Sequence, residues 1–522
     1  MRVRLTRSMS SCAVALALAG CSGGGATIGP APATLAPNAT PTPAANATPA
    51  PGVSTTPAPG SSATPVPGAS ATPAPGSSAT PAPGMTGTPS PGATATPKPG
   101  MTATPAPGAT PTPTPGATAT PAPGATATPV AMNANGTPQL RHVFVIVLEN
   151  QAEDNTFGVK MPVPYLQNTV SSQGAFIPNY WGTSHNSLGN YVTLLSGQSV
   201  TQINQQDCPT YIQIANPTAG NYGQVAGQGC VYPASTANLA DQLKSAKYTY
   251  KGYMEDMGLD TTREGSTCGQ TQPTATTGVY GSPDQTLFAQ AGNAVRPTDQ
   301  YAQRHNPFVY FTSVISSGDC AKYVGPLTDN TLTKDLQSIA TTPNFSFITP
   351  NLCNDGHDVP CAAPGAAGNI NADFSNENSF LQKWVPLITR SPAFVQDGLL
   401  IITFDESSPA HNTNVGTDTS VDSTSCCMEP IEVDPNTGTP GNPPGSSNTA
   451  DGTGGGKTGA VLISPFIAPG TVSAMSYNHF ATLAGIEDEF GLTHIGYAAF
   501  PGTRPFGSDI FGPTPTRHTI SL

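Results

Sequence analysis

The sequence predicts a three-layer α/β/α sandwich built on a mostly parallel central sheet. Residues 143–148 and 399–404 are short runs that are apolar on both faces. Such runs are typical of buried parallel strands that helices cover on both sides. Strand-like and helix-like segments then alternate along residues 139–522, which indicates one large α/β domain.

The other elements of this domain follow from their periodicity and length. Further strands are predicted at residues 248–254, 308–311, 345–349 and 460–464, and helices at 190–195, 236–246, 327–339, 378–388 and 478–490. Residues 407–456 are rich in Gly, Pro, Asn and Thr without a period, so we expect a long loop inserted into the domain.

The start of the chain predicts export. Residues 1–20 combine three arginines with a short apolar stretch, which is typical of a secretory signal. Leu18-Ala19-Gly20-Cys21 resembles a bacterial lipobox, so we expect a lipid on Cys21 that anchors the protein to a membrane of the cell envelope. The alternative is an ordinary signal peptide cut nearby, which would release a secreted protein.

Residues 21–138 predict a disordered stalk. They are mostly Ala, Thr, Pro, Gly and Ser, and Pro-Gly recurs every eight residues from Pro51-Gly52 to Pro123-Gly124. Such a segment has little apolar surface to bury, and its prolines favour extended conformations. We therefore expect a spacer that holds the folded domain away from its anchor.

Cysteines and charge narrow the function further. Eight cysteines follow Cys21, an even number that permits four disulfides in an exported protein. None has the spacing of a zinc cluster, and the neighbours Cys426 and Cys427 are expected to pair with other cysteines. A net charge of −12 with 10% charged residues argues against a nucleic acid as partner.

Oxygen-bearing side chains follow both apolar runs. Glu149 and Asn150 come directly after the first run, and Asp405 and Glu406 after the second. Ligands bind beyond the carboxyl ends of strands in such sheets, and three carboxylates there would repel one another without a cation. The sequence therefore predicts a divalent metal site, and its oxygen ligands favour Ca²⁺, Mg²⁺ or Mn²⁺ over Zn²⁺.

Ser187 is the candidate nucleophile. It lies between the two runs in sequence, where a loop enters a predicted helix. Backbone N–H groups and the helix dipole at that position favour an anion, and a nearby metal ion would activate the serine. The alternative is that Ser187 only caps the helix, which is the commoner role for a serine there.

Four stretches resemble, in order, motifs of the bacterial phosphoesterase family that contains acid phosphatases and phospholipases C. They are VFVIVLENQAEDNTFG at 143–158, FSFITPNLCNDGHD at 345–358, LIITFDE at 400–406 and ISPFIAPGTVSAMSYNHFATLAGIEDEFGL at 463–492. The resemblance implies an alkaline-phosphatase-like fold and hydrolysis of phosphate esters. It also implies that Glu149, Asn150, Asp405 and Glu406 are metal ligands.

The resemblance implies roles for further residues. Ser187 stands ten residues before Gly197, the spacing of nucleophile and helix glycine in related phosphodiesterases, and Asn190 matches a residue that helps to hold the phosphoryl group. Gly189 replaces the proline that is usual there, which loosens the turn around Ser187. The remaining candidates lie in the matching motifs or beside Ser187: His185, His357 and His479 as catalytic groups and Asp355 as a metal ligand.

Other polar groups receive a structural interpretation. The remaining histidines, among them His305, are expected to be structural or exposed, and the acidic residues 487–489 are expected to form a solvated helix face.

Together these features predict an exported, metal-dependent phosphomonoesterase that forms a phosphoserine at Ser187. Its substrate would be a small phosphate ester or a phospholipid head group, and an acidic pH optimum follows from the resemblance alone. Two alternatives remain open, a phospholipase C-type phosphodiesterase and a non-catalytic binding or adhesion lipoprotein displayed on the stalk.

Overall fold

The computed structural model describes residues 131–158, 163–201, 203–261, 263–271, 300–357, 371–407, 426–427 and 454–522. The predicted signal segment, Cys21 and the stalk up to residue 130 lie outside these residues, as does most of the predicted loop at 407–456. The two ends of that loop meet, because Ser407 N donates a hydrogen bond to Gly455 O (2.7 Å).

Strands and helices alternate along the described residues. The strands are β1 (His142–Leu148), β2 (Ala175–Ile177), β3 (Tyr180–Trp181), β4 (Ala215–Ala219), β5 (Val225–Gln228), β6 (Tyr250–Met254), β7 (Val324–Pro326), β8 (Phe345–Thr349), β9 (Gly398–Phe404), β10 (Ala460–Ile463), β11 (Thr471–Val472) and β12 (Tyr477–Asn478). The helices are α1 (Glu153–Thr156), α2 (Ser187–Ser196), α3 (Leu239–Ser245), α4 (Thr312–Ser316), α5 (Asp319–Tyr323), α6 (Leu332–Asp335), α7 (Asn371–Thr389), α8 (Pro392–Asp397), α9 (His479–Phe490) and α10 (Ser508–Phe511).

Eight strands form the central sheet, in the order β11-β2-β10-β9-β1-β8-β6-β7. The strands from β9 to β7 are all parallel, whereas β10 runs antiparallel to both of its neighbours. The predicted, mostly parallel sheet is therefore confirmed. Its central strands β1 and β9 are the two apolar runs that are followed by Glu149-Asn150 and by Asp405-Glu406. We call a strand that is directly followed by such acidic residues acid-tipped.

Helices cover both faces of the sheet. Val143, Val145 and Val147 of β1 enter one apolar cluster, which also contains residues of α2 and α9. The alternate residues of β1, such as Phe144 and Ile146, enter a second cluster together with residues of α7. Successive side chains of a strand point to opposite faces, so the two clusters are the two cores of a three-layer sandwich. The predicted fold class is confirmed.

The longest helix in the described residues is α7, with 19 residues and an internal proline, Pro386. It packs on the sheet through buried residues such as Leu381 and Trp384. None of the helices in the described part of the chain combines the length and the apolar character of a membrane span.

Two predicted elements differ from the structure. The strand expected at 308–311 is a 3-10 helix, Pro307–Tyr310, and Pro307 occupies its first position, where a helix tolerates the missing N–H. Its apolar residues are buried all the same, and Phe308 stacks on Tyr250 with ring centroids 5.6 Å apart. A short buried run does not distinguish strand from helix by pattern. The helix expected at 327–339 is reduced to α6.

The prediction of a solvated acidic face at residues 487–489 is wrong for Glu487 and Glu489, which are 0% and 2% exposed. Glu489 Oε2 accepts hydrogen bonds from Leu140 N (2.8 Å) and Asn133 Nδ2 (3.0 Å). Residues 131–138, which the sequence assigns to the stalk, are thereby fastened to α9.

The disulfides support an oxidised fold, with one correction. Cys208 pairs with Cys230, Cys268 pairs with Cys320, and Cys353 is also disulfide-bonded. The neighbours Cys426 and Cys427 pair with each other, so the prediction that they pair outward is wrong. The other cysteines in the described ranges are also disulfide-bonded.

Candidate active site

The two acid-tipped strands lie side by side. Leu148 at the end of β1 is in register with Phe404 at the end of β9, so Glu149-Asn150 and Asp405-Glu406 emerge together at the carboxyl edge of the sheet. Asp405 Oδ1 joins the two pairs, because it accepts hydrogen bonds from Asn150 N (2.9 Å) and Glu406 N (2.7 Å). The topology thus brings together the four residues that the sequence assigned to a metal.

Three carboxyl groups are buried at this edge. Glu149, Asp405 and Glu406 are 1%, 0% and 4% exposed. Burial raises the pKa of Asp405 well above its usual range, and the charges of Glu149 and Glu406 raise it further. Asp405 Oδ2 is buried without a hydrogen-bond partner. An acidic cluster of this kind is costly unless protons or a cation neutralise it.

The Asn150 amide lies between these carboxyl groups and a histidine. One terminal atom of the amide is 3.1 Å from both Asp405 Oδ1 and Glu406 Oε1. The other is 3.3 Å from both ring nitrogens of His357. With its nitrogen towards the carboxyl groups the amide donates hydrogen bonds to them. With its oxygen there, three oxygens converge as ligands of a cation would.

Ser187 is the first residue of α2 and is 4% exposed. Its Oγ donates a 2.9 Å hydrogen bond to Glu149 Oε2. The preceding residue, Asn186, has a φ of 67° and its side chain makes no capping bond to the helix. The chain therefore turns sharply just before Ser187 and aims the hydroxyl at the acidic edge of the sheet.

Asn190 holds this turn closed. Its Oδ1 accepts hydrogen bonds from Thr183 N (2.9 Å) and Ser184 N (3.0 Å), and its Nδ2 donates to Ser184 O (2.9 Å). Asn190 is 0% exposed, and both ends of its amide are bonded to the turn. The side chain that the resemblance assigns to the phosphoryl group thus binds the backbone in front of Ser187.

Gly189 fits where a larger residue would not. A Cβ at this position would stand 2.6 Å from Ser184 Oγ and 2.9 Å from Ser184 Cβ. The turn and the first turn of α2 are in close contact at this point, and the glycine allows that contact. The structure gives no sign of the loosening that the missing proline suggested, because Asn190 fastens the turn instead.

Glu406 reaches the same turn from the other side. Its Oε2 accepts a hydrogen bond from His185 Nδ1 and a 3.2 Å hydrogen bond from Asn186 N. One expected metal ligand therefore also orients one expected catalytic histidine and the backbone before Ser187.

Asp355 and His357 lie on the loop after β8. Asp355 O accepts a hydrogen bond from Glu149 N (2.9 Å), and Asp355 Oδ1 accepts one from His357 N (3.0 Å). His357 is 8% exposed and faces Asn150, so it lies beside the acidic edge. Asp358, the next residue of the motif, lies outside the described residues.

His479, the first residue of α9, occupies a different position. It is 0% exposed, and its Nε2 is 2.6 Å from the backbone oxygen of Asp405. Tyr180 OH lies 3.0 Å from Nδ1. Burial lowers the pKa of His479 to about 4, so the neutral ring donates from Nε2 and accepts at Nδ1. Both nitrogens are engaged within the protein.

Sequence reasoning missed two residues that contact Glu149. Tyr191 OH donates a 2.8 Å hydrogen bond to Glu149 Oε1, and His305 Nε2 lies 3.1 Å from the same oxygen. The two rings stack at 5.0 Å with an interplanar angle of 10°. The expectation that His305 is only structural or exposed is therefore incomplete. Tyr191 lies one helical turn after Ser187, which is the one signal that could have identified it.

A third acid-tipped strand was also missed. Glu255 and Asp256 directly follow β6, which repeats the pattern of the other two strands. Glu255 Oε2 accepts hydrogen bonds from Asn351 N (3.0 Å) and Asn354 Nδ2 (2.8 Å). These carboxyl groups support the loop that carries His357.

A serine beside buried carboxyl groups that could bind a cation is an arrangement suited to acyl or phosphoryl transfer to that serine. Within the described ranges, no three His, Cys, Asp or Glu side chains are placed close enough to hold a metal ion as they stand. The set that converges includes the Asn150 amide and two carboxyl groups.

Comparison with known proteins identifies a family and several relatives of this chain. The model of the phosphoesterase family matches residues 160–493, which is more than half of the 522-residue chain. A phosphatidylinositol-3-phosphatase of Mycobacterium tuberculosis is 22% identical over 288 residues, which cover 55% of this chain and 71% of that protein.

A probable acid phosphatase of Kluyveromyces lactis is 23% identical over 267 residues, which cover 51% of this chain and 48% of that protein. The chain thus spans about half the length of this relative. Among solved structures, a protein of the alkaline phosphatase superfamily from Vibrio parahaemolyticus is 9% identical, with 69% of each chain covered and a TM-score of 0.36.

Proposed function

Because the chain belongs to the phosphoesterase family, a family of hydrolases acting on phosphoric esters, we propose that it is a metal-dependent phosphomonoesterase with Ser187 as nucleophile. One observation carries the proposal. Ser187 Oγ lies 2.9 Å from Glu149 Oε2, at the sheet edge where Glu149, Asn150, Asp405 and Glu406 come together. The N-cap of α2 is Asn186 and not Ser187, which argues against a capping role for this serine.

The residues present fit a hard divalent cation. Glu149, Asn150, Asp405 and Glu406 would hold it, with Asp355 as a further candidate. The buried Asp405 Oδ2 lacks a partner, and the Asn150 amide stands 3.1 Å from two carboxyl oxygens. Oxygen ligands favour Ca²⁺, Mg²⁺ or Mn²⁺. When bound, such an ion would stabilise negative charge on the serine and phosphoryl oxygens.

The first half-reaction forms a phosphoserine. Ser187 Oγ attacks phosphorus while its proton passes to Glu149 Oε2, the acceptor at 2.9 Å. The bond from phosphorus to the ester oxygen breaks, and the alcohol leaves. The N-terminus of α2, which begins at Ser187, faces the charge that develops on the phosphoryl oxygens.

A histidine protonates the leaving oxygen, and His357 is the better placed candidate. It lies beside Asn150 at the acidic edge, whereas both nitrogens of His479 are bonded to Tyr180 and to the Asp405 carbonyl. In the second half-reaction a water attacks phosphorus and gives a proton to His357, which lost one to the leaving alcohol. The bond to Ser187 breaks, and the serine oxygen regains its proton from Glu149. His479 and His185 then act by holding Asp405 and Glu406 in place.

We infer phosphomonoesters, and not phosphodiesters, as substrates from the relatives of the chain. Both relatives described above are phosphatases by name. A phospholipase C-type reaction would use the same serine with a different alcohol pocket. Export and lipid anchoring rest on the signal segment and the Leu-Ala-Gly-Cys sequence that ends at Cys21.

Parallel assays test the proposal. Purified protein is given p-nitrophenyl phosphate and p-nitrophenylphosphorylcholine, and its metal content is measured in the same preparation. We expect hydrolysis of the phosphate ester, and loss of that activity in Ser187→Ala and Asp405→Asn. A rate on the choline ester alone would instead support the phosphodiesterase, and an inactive wild-type protein would support the non-catalytic surface protein.

A further inference from the structure

A short turn later in the chain contacts the residues on both sides of Ser187. The 3-10 helix Asn204–Gln206 and the following Asp207 lie beyond the end of α2 but return to its start. Asn186 Nδ2 donates a hydrogen bond to the backbone oxygen of Gln205. Leu188 N donates a 3.0 Å hydrogen bond to Asp207 Oδ1. The candidate nucleophile therefore stands between two anchored neighbours.

Asp207 supplies the side-chain cap that the residues before α2 do not provide. The first N–H groups of a helix have no partner inside the helix, and a side chain at the N-cap usually accepts a hydrogen bond from one of them. Asn186 is the N-cap of α2, but its side chain points to Gln205 and makes no capping bond. The cap comes instead from Asp207, 19 residues after Leu188.

The turn that presents Asp207 is itself fixed. Asp207 N donates to Asn204 O (3.0 Å), and the buried Asn204 side chain donates to Tyr232 OH (2.9 Å). The next residue, Cys208, is joined to Cys230 by a disulfide, and both cysteines are 0% exposed. The carboxyl group at the start of α2 is thus held by a covalent bond one residue away.

We propose that Asp207 is a positioning residue for Ser187 and that the Cys208–Cys230 disulfide holds it in place. This inference rests on the proposed function, in which Ser187 is the nucleophile. The direction of the Ser187 hydroxyl depends on the first turn of α2, which follows the positive φ of Asn186. Without the acceptor from Asp207, the Leu188 N–H loses its partner, and the first turn of α2 loses one of its two hydrogen bonds to the segment 204–207.

The test compares substitutions of Asp207 in the full chain, with p-nitrophenyl phosphate as substrate. Asp207→Ala removes the acceptor, and we expect kcat to fall about 5- to 30-fold with little change in KM, because the Ser187 hydroxyl is then less precisely placed for attack. Asp207→Asn keeps an oxygen acceptor, so we expect it to restore kcat to within about twofold of the wild type.

Ser391→Ala is the matched control. Ser391 Oγ accepts a hydrogen bond from Phe394 N (3.3 Å) and so caps α8, a helix that packs with α7 on the other face of the sheet. We expect this substitution to lower the melting temperature but to leave kcat unchanged. A comparable fall in kcat for Ser391→Ala would show that general destabilisation explains the effect of Asp207→Ala, and would overturn the inference.

The double variant Cys208→Ser/Cys230→Ser tests the second part and leaves α2 unaltered. We expect kcat to fall as in Asp207→Ala, and we expect the same fall even if Asp207→Ala proves too unstable to purify. Unchanged kcat in this double variant would contradict the role of the disulfide.

The outcome for Ser187→Ala separates this inference from the proposed function. An active Ser187→Ala protein would remove the nucleophile and both proposals with it. An inactive Ser187→Ala protein together with full activity in Asp207→Ala would overturn the positioning role alone.

Discussion

Ser187 Oγ donates a hydrogen bond to Glu149 Oε2 across 38 residues of sequence, and this contact joins the start of α2 to the end of β1. Glu149 also accepts a hydrogen bond from Tyr191 OH and lies against His305. A single buried carboxyl group therefore connects the candidate nucleophile, the expected metal site and two aromatic side chains. Changes around Glu149 are expected to affect all of these together.

Tyr191→Phe removes one hydrogen bond to Glu149 and leaves the stacked ring in place. Because partners of metal ligands usually contribute to affinity, we expect the metal concentration for half-maximal activity to rise about tenfold or more. Titration of metal-depleted protein with Mg²⁺, Mn²⁺ or Ca²⁺ measures this. Tyr253→Phe, whose hydroxyl bonds to Asp335 in a different part of the fold, is the control and should titrate like the wild type.

His305→Ala removes the ring that lies 3.1 Å from Glu149 Oε1 and stacks on Tyr191. We expect kcat on p-nitrophenyl phosphate to fall about tenfold or more, since the orientation of Glu149 is lost. His494→Ala removes another histidine paired with a carboxyl group, Asp488, at a partly exposed position and should keep wild-type kcat. Equal rates for the two variants would contradict a role for His305.

Gly189→Ala places a methyl group 2.6 Å from Ser184 Oγ. The turn before Ser187 must then shift, so we expect a large loss of activity and a stability loss of about 1–3 kcal/mol. Ser184→Gly in the same chain removes the clashing atoms, and the double variant should regain activity. Full activity in the single Gly189→Ala variant would show that the turn tolerates the shift.

The free energy of unfolding should decrease as the pH rises, because the side chains of Glu487 and Glu489 are buried. Burial raises the pKa of Glu487 to about 9 and that of Glu489 to about 8, from 4.5. Above pH 4.5 the folded state holds a proton that the unfolded chain loses. The free energy of unfolding from each group is therefore greatest below pH 4.5 and decreases by about 1.4 kcal/mol per pH unit up to the folded pKa.

Melting temperatures measured from pH 5 to pH 9 test this sign. The wild-type value should decrease across the range, and Glu487→Gln should decrease less steeply because glutamine does not titrate. Glu487 is 0% exposed and its Oε2 has no hydrogen-bond partner, so burial disfavours the charged form of this side chain. Identical slopes for wild type and Glu487→Gln would contradict this interpretation.

Most of the fold could be predicted from the sequence because its central strands are apolar on both faces. β1, β8 and β9 were predicted within one residue, and the fold class, the family and the enzyme class are confirmed. The hydrophobic pattern gave wrong predictions where secondary structure or burial depends on the packing of the rest of the fold. Pro307–Tyr310 is as apolar as a strand, and Glu487 looks like a surface acid until the packing around α9 is known.

Site residues could be predicted from the sequence where they follow a strand or lie in a family motif. Residues outside such positions were harder to predict. Glu149 and Asp405 follow apolar runs, so their meeting follows from parallel strands in register. His305 and Asp207 reach the site through long-range contacts that leave no local pattern. The roles of the candidate residues, among them Ser187, stay predictions until activity is measured.

The most direct test of the phosphoserine mechanism is to trap the phosphoryl group. Protein mixed with p-nitrophenyl phosphate is quenched in acid, digested and analysed by mass spectrometry, with Ser187→Ala treated in parallel. A phosphoserine mechanism predicts phosphate on the peptide that contains Ser187 in the wild-type protein and none on that peptide in Ser187→Ala. Turnover without a phosphorylated Ser187 peptide, together with undiminished hydrolysis by Ser187→Ala, would contradict it.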